Sequence, residues 1–441
     1  MKTVITFGVA AVLSLSTALR ASDQIPAPPQ ARPIAIVGAD IFPVDAPPIP
    51  GGTIIFDKGR IVALGRNVQP PADAELIDAK GKRVYPGLFD PVSDLGLVEI
   101  SAVRQSVDTA ETGSINPNVR AETAINPDSE HIPVARSNGV LLTVVAPTGG
   151  VISGSSAVIQ LDGWTYEDLT VKAPAAIHMN WPAMRPQTRR FGPAEPDAEQ
   201  NRRRDEQLEQ INKTFDNARA YKRARESNAS ATPHDSRWHA MLPMLSGEIP
   251  LVVNANDVMQ IQAAVAFAQR QKVRLIIDGG YDATLCAELL KKHNVPVIIA
   301  GTHRLPQRRG DGYDDAFTLP RRLSEAGVKF VIGSMDRFNG NYRNLPYNAA
   351  TAATFGLPPG DALAAITLGV AELYGVADRV GSLTVGKDAT LFIASGDIFE
   401  VPTQVEAAFI QGRKIDLSDK QKMLYRKYQI KFEQLKNAPR P

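Results

Sequence analysis

The 441-residue sequence has one cysteine, Cys286. That excludes an intramolecular disulfide and any cysteine-built zinc ribbon. Beyond the first fifteen residues no segment approaches the ~20 continuous apolar residues of a membrane span, so the mature chain is expected to be soluble, with no permanent membrane anchor. Charge of one sign is also missing. The formal net charge is +2, and the basic clusters Arg202-Arg203-Arg204 and Lys222-Arg223-Ala224-Arg225 are interleaved with Asp205, Glu206, Glu209 and Glu226. Such a pattern is a solvated helix face, and no nucleic acid is expected as partner. The Gly/Ser-rich stretch Thr148–Ser156 lacks the lysine and spacing of a phosphate-binding loop, so it reads as a tight turn. It also lacks a Gly-x-Ser-x-Gly elbow, which leaves serine hydrolysis unsupported.

With 44% hydrophobic and 22% charged residues, the chain can bury a large core. Its first residues follow a secretory pattern: Lys2, an apolar run from Val4 to Leu15, then Ser16-Thr17-Ala18. A signal peptide over residues 1–21 is expected, cleaved after Ala18 or Ala21, with export to the periplasm or outside the cell. A chain of this size needs no disulfide in an oxidising compartment.

Short β-prone runs fill residues 22–83. Thr53–Phe56 and Arg60–Leu64 flank Asp57-Lys58-Gly59, and Glu75–Asp78 and Arg83–Tyr85 flank Ala79–Lys82, two hairpin patterns. The same texture returns over 381–416, in Gly381–Ile393 and in Val405–Ile410 with Lys414–Ile415. Isolated hairpins are marginal in water, so the two ends are expected to build one small β-sandwich. Between them, residues 84–380 alternate strand and helix signals. The runs Gly139–Val145, Leu251–Val253, Val273–Ile277, Val295–Ala300 and Val328–Gly333 are strands, and Asn256 or Asp257 caps a helix after the second. This alternation predicts a parallel sheet closed into a (β/α)8 TIM-like barrel, with an open doubly wound sheet as the competing arrangement. A charged insertion at about 190–240 carries Leu208, Ile211, Phe215 and Ala218 at helical spacing. Residues 417–441 hold a further amphipathic helix, with Leu424, Tyr428 and Leu435 near one face, expected to pack back on the domain.

Two distant motifs carry a resemblance. Val84-Tyr85-Pro86-Gly87-Leu88-Phe89-Asp90 is similar to the motif that opens the barrel in the amidohydrolase superfamily, where Pro-Gly-Leu-Ile-Asp leads into a His-x-His pair. Gly381-Ser382-Leu383-Thr384-Val385-Gly386-Lys387-Asp388-Ala389-Thr390-Leu391 resembles that family's closing Gly-Ser-Ile-x-x-Gly-Lys-x-Ala-Asp-Leu. The resemblance covers roughly residues 34–415 and is closest to imidazolonepropionase-like members. It implies a hydrolase acting on amide or cyclic-amide C–N bonds of a small molecule, with a divalent metal (zinc or manganese) that lowers the pKa of bound water.

The ligand positions depart from that pattern. The first two histidines fall on Val92 and Asp94, the next on Asn254 or Asn256, and the fourth on a glycine of Asp278-Gly279-Gly280. Amide oxygens are poor zinc ligands. The closing aspartate corresponds to Asp336, at or one residue beyond its place. Four lost histidines imply that no metal binds at the family site. Asp94 and Asp336 remain as metal ligands only for a non-standard site, with His178 and His303 the imidazoles that would complete it. His303 follows a strand and so is placed on the active face, with Asp336 and His303 as catalytic candidates and Asn254 and His178 as substrate-binding ones. Arg304, Arg308, Arg309, Asp311, Asp314 and Asp315 form a charged loop read as solvated. Two functions stay open: a C–N hydrolase with a degenerate metal site, and a catalytically inactive relative that binds a small molecule or protein partner in the periplasm.

Overall fold

Gly87 divides one continuous stretch between two sheets. The computed structural model describes residues 24–187, 195–334 and 341–437; the expected signal peptide and Asp336 lie outside them. In chain order the strands are β1 (Ile34–Ile41), β2 (Ile49–Asp57), β3 (Arg60–Gly65), β4 (Glu75–Asp78), β5 (Arg83–Pro86), β6 (Leu88–Ser93), β7 (Val140–Val145), β8 (Ile152–Gln160), β9 (Thr170–Asn180), β10 (Leu251–Ala255), β11 (Leu275–Gly279), β12 (Val297–Ile299), β13 (Phe330–Ile332), β14 (Leu391–Ala394), β15 (Val405–Ile410) and β16 (Arg413–Ile415). Strand β5 ends in the first sheet, and β6 begins the second. A Cβ on Gly87 would lie 2.9 Å from Leu141 Cβ and 3.0 Å from Thr390 Cγ2. Only glycine lets both neighbours close on the crossing point.

The first sheet has the order β16-β15-β14-β5-β1-β2-β3, with β4 also paired to β1. The strands of the two ends therefore share one sheet, joined where β14 pairs with β5, as the repeated hairpin texture implied. The Phe56 and Phe409 rings meet edge to face at 5.0 Å, although β14, β5 and β1 separate their strands. The sheet folds over its own apolar core, as a sandwich does. Three local expectations are corrected. Strands β4 and β5 do not form a hairpin; they lie end to end along β1, both parallel to it. Residues 381–385 form no strand, and Leu383 N–H instead donates to Pro43 O at 3.0 Å. The Gly/Ser stretch is only half turn, because Ile152–Ser156 already belongs to β8, where the strand buries every residue.

The second sheet has the order β13-β12-β11-β10-β9-β8-β7-β6 and is a nearly closed barrel. Strands β9 to β13 pair in parallel and β6 pairs in parallel with β7, whereas β8 runs antiparallel to both β7 and β9. The Gly149-Gly150 turn is too short for a crossover helix, so a meander replaces two β-α units there. Phe89, Leu142, Val144, Val158, Val252, Ile276, Ile298 and Val331 fill the interior, and Val370, Tyr374 and Val376 plug its lower end. Outside, the helix Val258–Gln271 packs Ile261, Ala264, Val265 and Ala268 on the sheet. It starts at Asp257, whose carboxylate accepts from Gln260 N–H at 3.0 Å, a capping box. Between β13 and β6 the backbone is bridged by another segment: Ile332 N–H donates to Ala365 O at 3.1 Å, and Phe89 N–H to Ile366 O at 2.8 Å.

The charged insertion forms the helix Asp197–Ser227, which buries Ile211, Phe215 and Ala218. Its arginines are paired, Arg202 with Glu199 and Glu206, and Arg203 with Glu195. The helix Lys420–Asn437 departs from expectation. Its first turn is tied down by Asp419, whose carboxylate accepts from Lys422 N–H at 2.9 Å, but every residue from 423 to 436 is exposed. It stands off the body rather than packing back on it.

Candidate functional site

Three adjacent parallel strands bring polar side chains level. Asn180 of β9 is in register with Asn254 of β10, which is in register with Asp278 of β11. The row beneath consists of His178, Val252 and Ile276. Val252 and Ile276 belong to the barrel's interior, and residues two apart on a strand share a face. Asn180, Asn254 and Asp278 therefore line the inside of the barrel at the C-terminal mouth, each half-buried. Asn254 Nδ2 donates to Asp278 Oδ2 at 3.3 Å, and Asn256 Nδ2 to Asn254 Oδ1 at 3.5 Å. Asn180 Nδ2 donates to Thr148 O and Gly150 O at 3.1 and 2.9 Å, fixing the β7–β8 turn.

His178 lies just below this rim, 7% exposed, and its Nε2 has no hydrogen-bond partner. Burial pushes its pKa down to about 3, so the imidazole is neutral. On the neighbouring strand β8, Ser156 Oγ is also buried and unpartnered. It is in register with Ala176, two residues before His178 on β9. Buried polar atoms ordinarily find partners. A molecule reaching below the rim would meet both of these.

On the opposite wall, Asp90 is 1% exposed. Its Oδ2 lies 2.5 Å from Ser334 Oγ, and its Oδ1 accepts from Ser334 N–H at 3.2 Å. Burial pushes its pKa up to about 7, against the opposing pull of the Ser334 bonds. Asp94 accepts a hydrogen bond from the Tyr342 hydroxyl, and the His131 ring meets the Tyr342 ring edge-on at 6.0 Å.

His303 follows β12 as expected, but its Nε2 is engaged with Thr351 Oγ1 at 2.8 Å, on the helix Leu345–Thr354. The charged loop after it is not simply solvated. Arg304 stacks on Tyr281 at 4.0 Å, Arg308 clamps the Asp282 carboxylate with bonds of 2.8 and 2.9 Å, and the Tyr281 hydroxyl donates to Asp311. Tyr281 and Asp282 follow β11 directly, so the loop is latched beside the mouth.

Of the residues singled out from the sequence, Asn254 and His178 share one face of the barrel. Asp94 sits on Tyr342 and His303 on Thr351, while Asp336 lies outside the described residues. Sequence reasoning passed over Asn180, Asp278 and Ser334 as site residues. The signal for the first two was the equal spacing of polar residues past successive apolar strands; Ser334 gave none.

The profile of the amidohydrolase family matches residues 258–415. An amidohydrolase of known structure from Thermotoga maritima shares 25% identity, with a TM-score of 0.76, over 87% of this chain and 99% of that one. An imidazolonepropionase from Symbiobacterium thermophilum is 26% identical over 80% of this chain and 85% of its own. The family match and the likeness to these proteins support the amidohydrolase superfamily for this chain. Amidohydrolase tasK from Hapsidospora irregularis is 22% identical over 82% of this chain, which spans only 39% of that protein's length. A prolidase structure shares the fold at 16% identity, with a TM-score of 0.52.

Members of the superfamily hold their metal with histidines at strand ends, and the places that the resemblance gives those histidines carry Val92, Asp94, Asn254 or Asn256, and a glycine here. Val92 packs against the apolar filling. Gly279 has φ +97°, and a Cβ there would lie 2.4 Å from Asn256 Oδ1, so the Asn256 amide occupies the space of a side chain. Among the described residues no three His, Cys, Asp or Glu side chains converge. Of the non-standard set, His178 is buried under the rim, His303 Nε2 meets Thr351 and Asp94 meets Tyr342. A cavity of about 970 Å³ lies at the other end of the barrel, where Pro250, Leu275, Pro296 and Lys329 start or precede their strands. Barrel chemistry belongs to the C-terminal mouth, so that cavity is not taken as the active site.

Proposed function

We propose that this chain is an exported amidohydrolase-type hydrolase with a degenerate metal site, acting on an amide or cyclic-amide C–N bond of a small molecule. The observation that carries the proposal is the row Asn180–Asn254–Asp278 above His178. It sets three polar side chains level at the C-terminal rim, above an interior filled mainly by apolar ones. Side-chain amides match the N–H and C=O of an amide substrate in both directions, and a neutral imidazole accepts or donates one bond more. The degenerate metal site is supported by Val92, Asp94, Asn254 and Gly279 at or beside the histidine positions. Export is supported by the leader pattern of residues 1–21.

A second reading, binding without turnover, is favoured by one feature: Asp90 and Asp94, the acids of the opening motif, are both engaged by hydroxyl groups of Ser334 and Tyr342. The two separate on one preparation. Protein purified from cells supplied with zinc and manganese is assayed for bound metal and for hydrolysis of N-acyl amino acids and cyclic amides. The proposal expects turnover with far less than one metal per chain, lost in Asn254→Leu. Stoichiometric metal, lost together with turnover in Asp336→Ala, would overturn the degenerate site. Metal-free protein with no turnover across the panel would leave the binding reading. Fractionation, with sequencing of the mature N-terminus, tests export.

A further inference from the structure

The helix Lys420–Asn437 leaves the body of the protein with an apolar face that none of the described residues covers. At about 100° per residue, Leu424, Leu435, Tyr428, Phe432 and Tyr425 fall within one arc of about 100°. They are exposed by 43%, 60%, 49%, 59% and 66%, respectively. Gln421 is the only polar residue in that arc. Lys420 and Lys431 border it on one side and Lys436 on the other. Six Lys or Arg residues against the single Glu433 give the helix a charge of +5, while the whole chain carries +2, so the remainder is at −3. Eighteen residues make a rod of roughly 27 Å.

We propose that this helix docks the protein on the surface of an anionic phospholipid membrane, lying in the interface plane rather than crossing it. Three features support that occupant. The apolar arc is rich in aromatics, whose rings suit the headgroup boundary. The lysines beside it would contact acidic headgroups while Leu424, Phe432 and Leu435 insert. Charge argues against a second copy of the chain, since a two-fold pairing through this face would set +5 against +5 at close range. No helix among the described residues is long and apolar enough to cross a membrane, so the attachment is peripheral.

The test uses the full chain with vesicles of phosphatidylcholine alone or mixed with phosphatidylglycerol, in sedimentation or flotation at low and high salt. Binding to the anionic vesicles is expected, falling steeply with salt and nearly absent on the neutral ones. Lys420→Gln with Lys431→Gln should weaken binding by on the order of 20-fold, at roughly fivefold per basic side chain. Leu424→Ser with Phe432→Ser should abolish retention at high salt. The face packs on none of the described residues, so neither pair should change the thermal midpoint or oligomeric state. Equal binding to neutral and anionic vesicles, or none to either, overturns the proposal. A dimer abolished by Leu424→Ser with Phe432→Ser also overturns it, because the occupant would then be a second copy.

Discussion

Asp90 and Ser334 join the first and last strands of the barrel, with Asp90 Oδ2 2.5 Å from Ser334 Oγ and Oδ1 accepting from Ser334 N–H. Strands β13 and β6 are the ends of the strand order, so this pair and the bridging residues Ala365 and Ile366 stand where a ladder would be. Asp90 is buried, and its pKa is pushed up to about 7. The Ser334 hydroxyl donates to Oδ2, and burial still outweighs that bond in raising the pKa. The folded value lies above the unfolded one, so the folded state holds the proton more tightly. The associated stability is fully present below about pH 4, and it is lost as pH rises toward 7. Asp90→Asn keeps an oxygen that can accept from Ser334 and carries no charge. Its stability relative to wild type should rise from pH 4 to pH 7 and then level off, at about 1.4 kcal/mol per pKa unit. Urea titrations at pH 4.5, 6 and 8 check this. A variant equally destabilised at all three would show that the ionised form is not the costly one.

His178 works in the opposite sense. Its pKa is pushed down to about 3 by burial, below the unfolded value. The stability this neutral imidazole contributes is therefore fully present above about pH 6.5 and is lost as pH falls toward 3. His178→Met, which fills similar space without a titrating group, should flatten that acid limb. Its acid-unfolding midpoint, read by circular dichroism, should move to lower pH. An unchanged midpoint would mean that some other group drives acid unfolding.

Large features were legible because they rest on local signals. The Pro-Gly-Leu-Phe-Asp stretch announced the crossing between sheets, and packing at Gly87 explains the glycine. A helix cap at Asn256 or Asp257 and the apolar spacing of Ile211, Phe215 and Ala218 were equally visible. What sequence could not supply was register. Nothing local says that Asn180, Asn254 and Asp278 stand level, since that depends on pairings across gaps of many residues. Nor could hydrophobic pattern separate a parallel from an antiparallel β8, because both bury their two faces. The Lys420–Asn437 helix misled for another reason: an apolar stripe predicts a partner, and the partner need not be the same chain.

Gly279 decides whether this barrel could be returned to a histidine-bearing site. Its φ of +97° is one obstacle, and the 2.4 Å that would separate an added Cβ from Asn256 Oδ1 is another. Gly279→Ala should lower stability by about 1–3 kcal/mol from backbone strain alone, with the overlap adding to it. Asn256→Ala in the same chain should recover only the overlap part. Gly279→His should fold poorly and gain no zinc in an equilibrium-dialysis measurement. A stable, zinc-binding Gly279→His would show that the β11 end is more adaptable than its geometry implies.

The latch beside the mouth makes the last prediction. Tyr281 is the centre of it: Arg304 stacks at 4.0 Å and Arg308 lies over the same ring at 5.2 Å. Its hydroxyl reaches Asp311, whose Oδ2 also accepts from the backbone N–H groups of Gln307 and Arg308 at 2.9 and 2.7 Å. Arg308 is half exposed while its partner Asp282 is buried, so the pair is not fully screened by solvent. Asp282 also accepts from Val258 N–H at 3.2 Å, tying the loop to the start of the helix Val258–Gln271. Tyr281→Leu removes the stacking and the hydroxyl but spares Asp282. The loop should then open to trypsin at Arg304, Arg308 or Arg309 several times faster than in wild type, while global stability falls by only about 1 kcal/mol. Arg308→Ala strands the buried carboxylate instead, and should cost more in the thermal midpoint than Tyr281→Leu. Limited proteolysis beside thermal melts separates the two effects. If both variants resist trypsin as wild type does, the loop is held by contacts other than this ring and this ion pair.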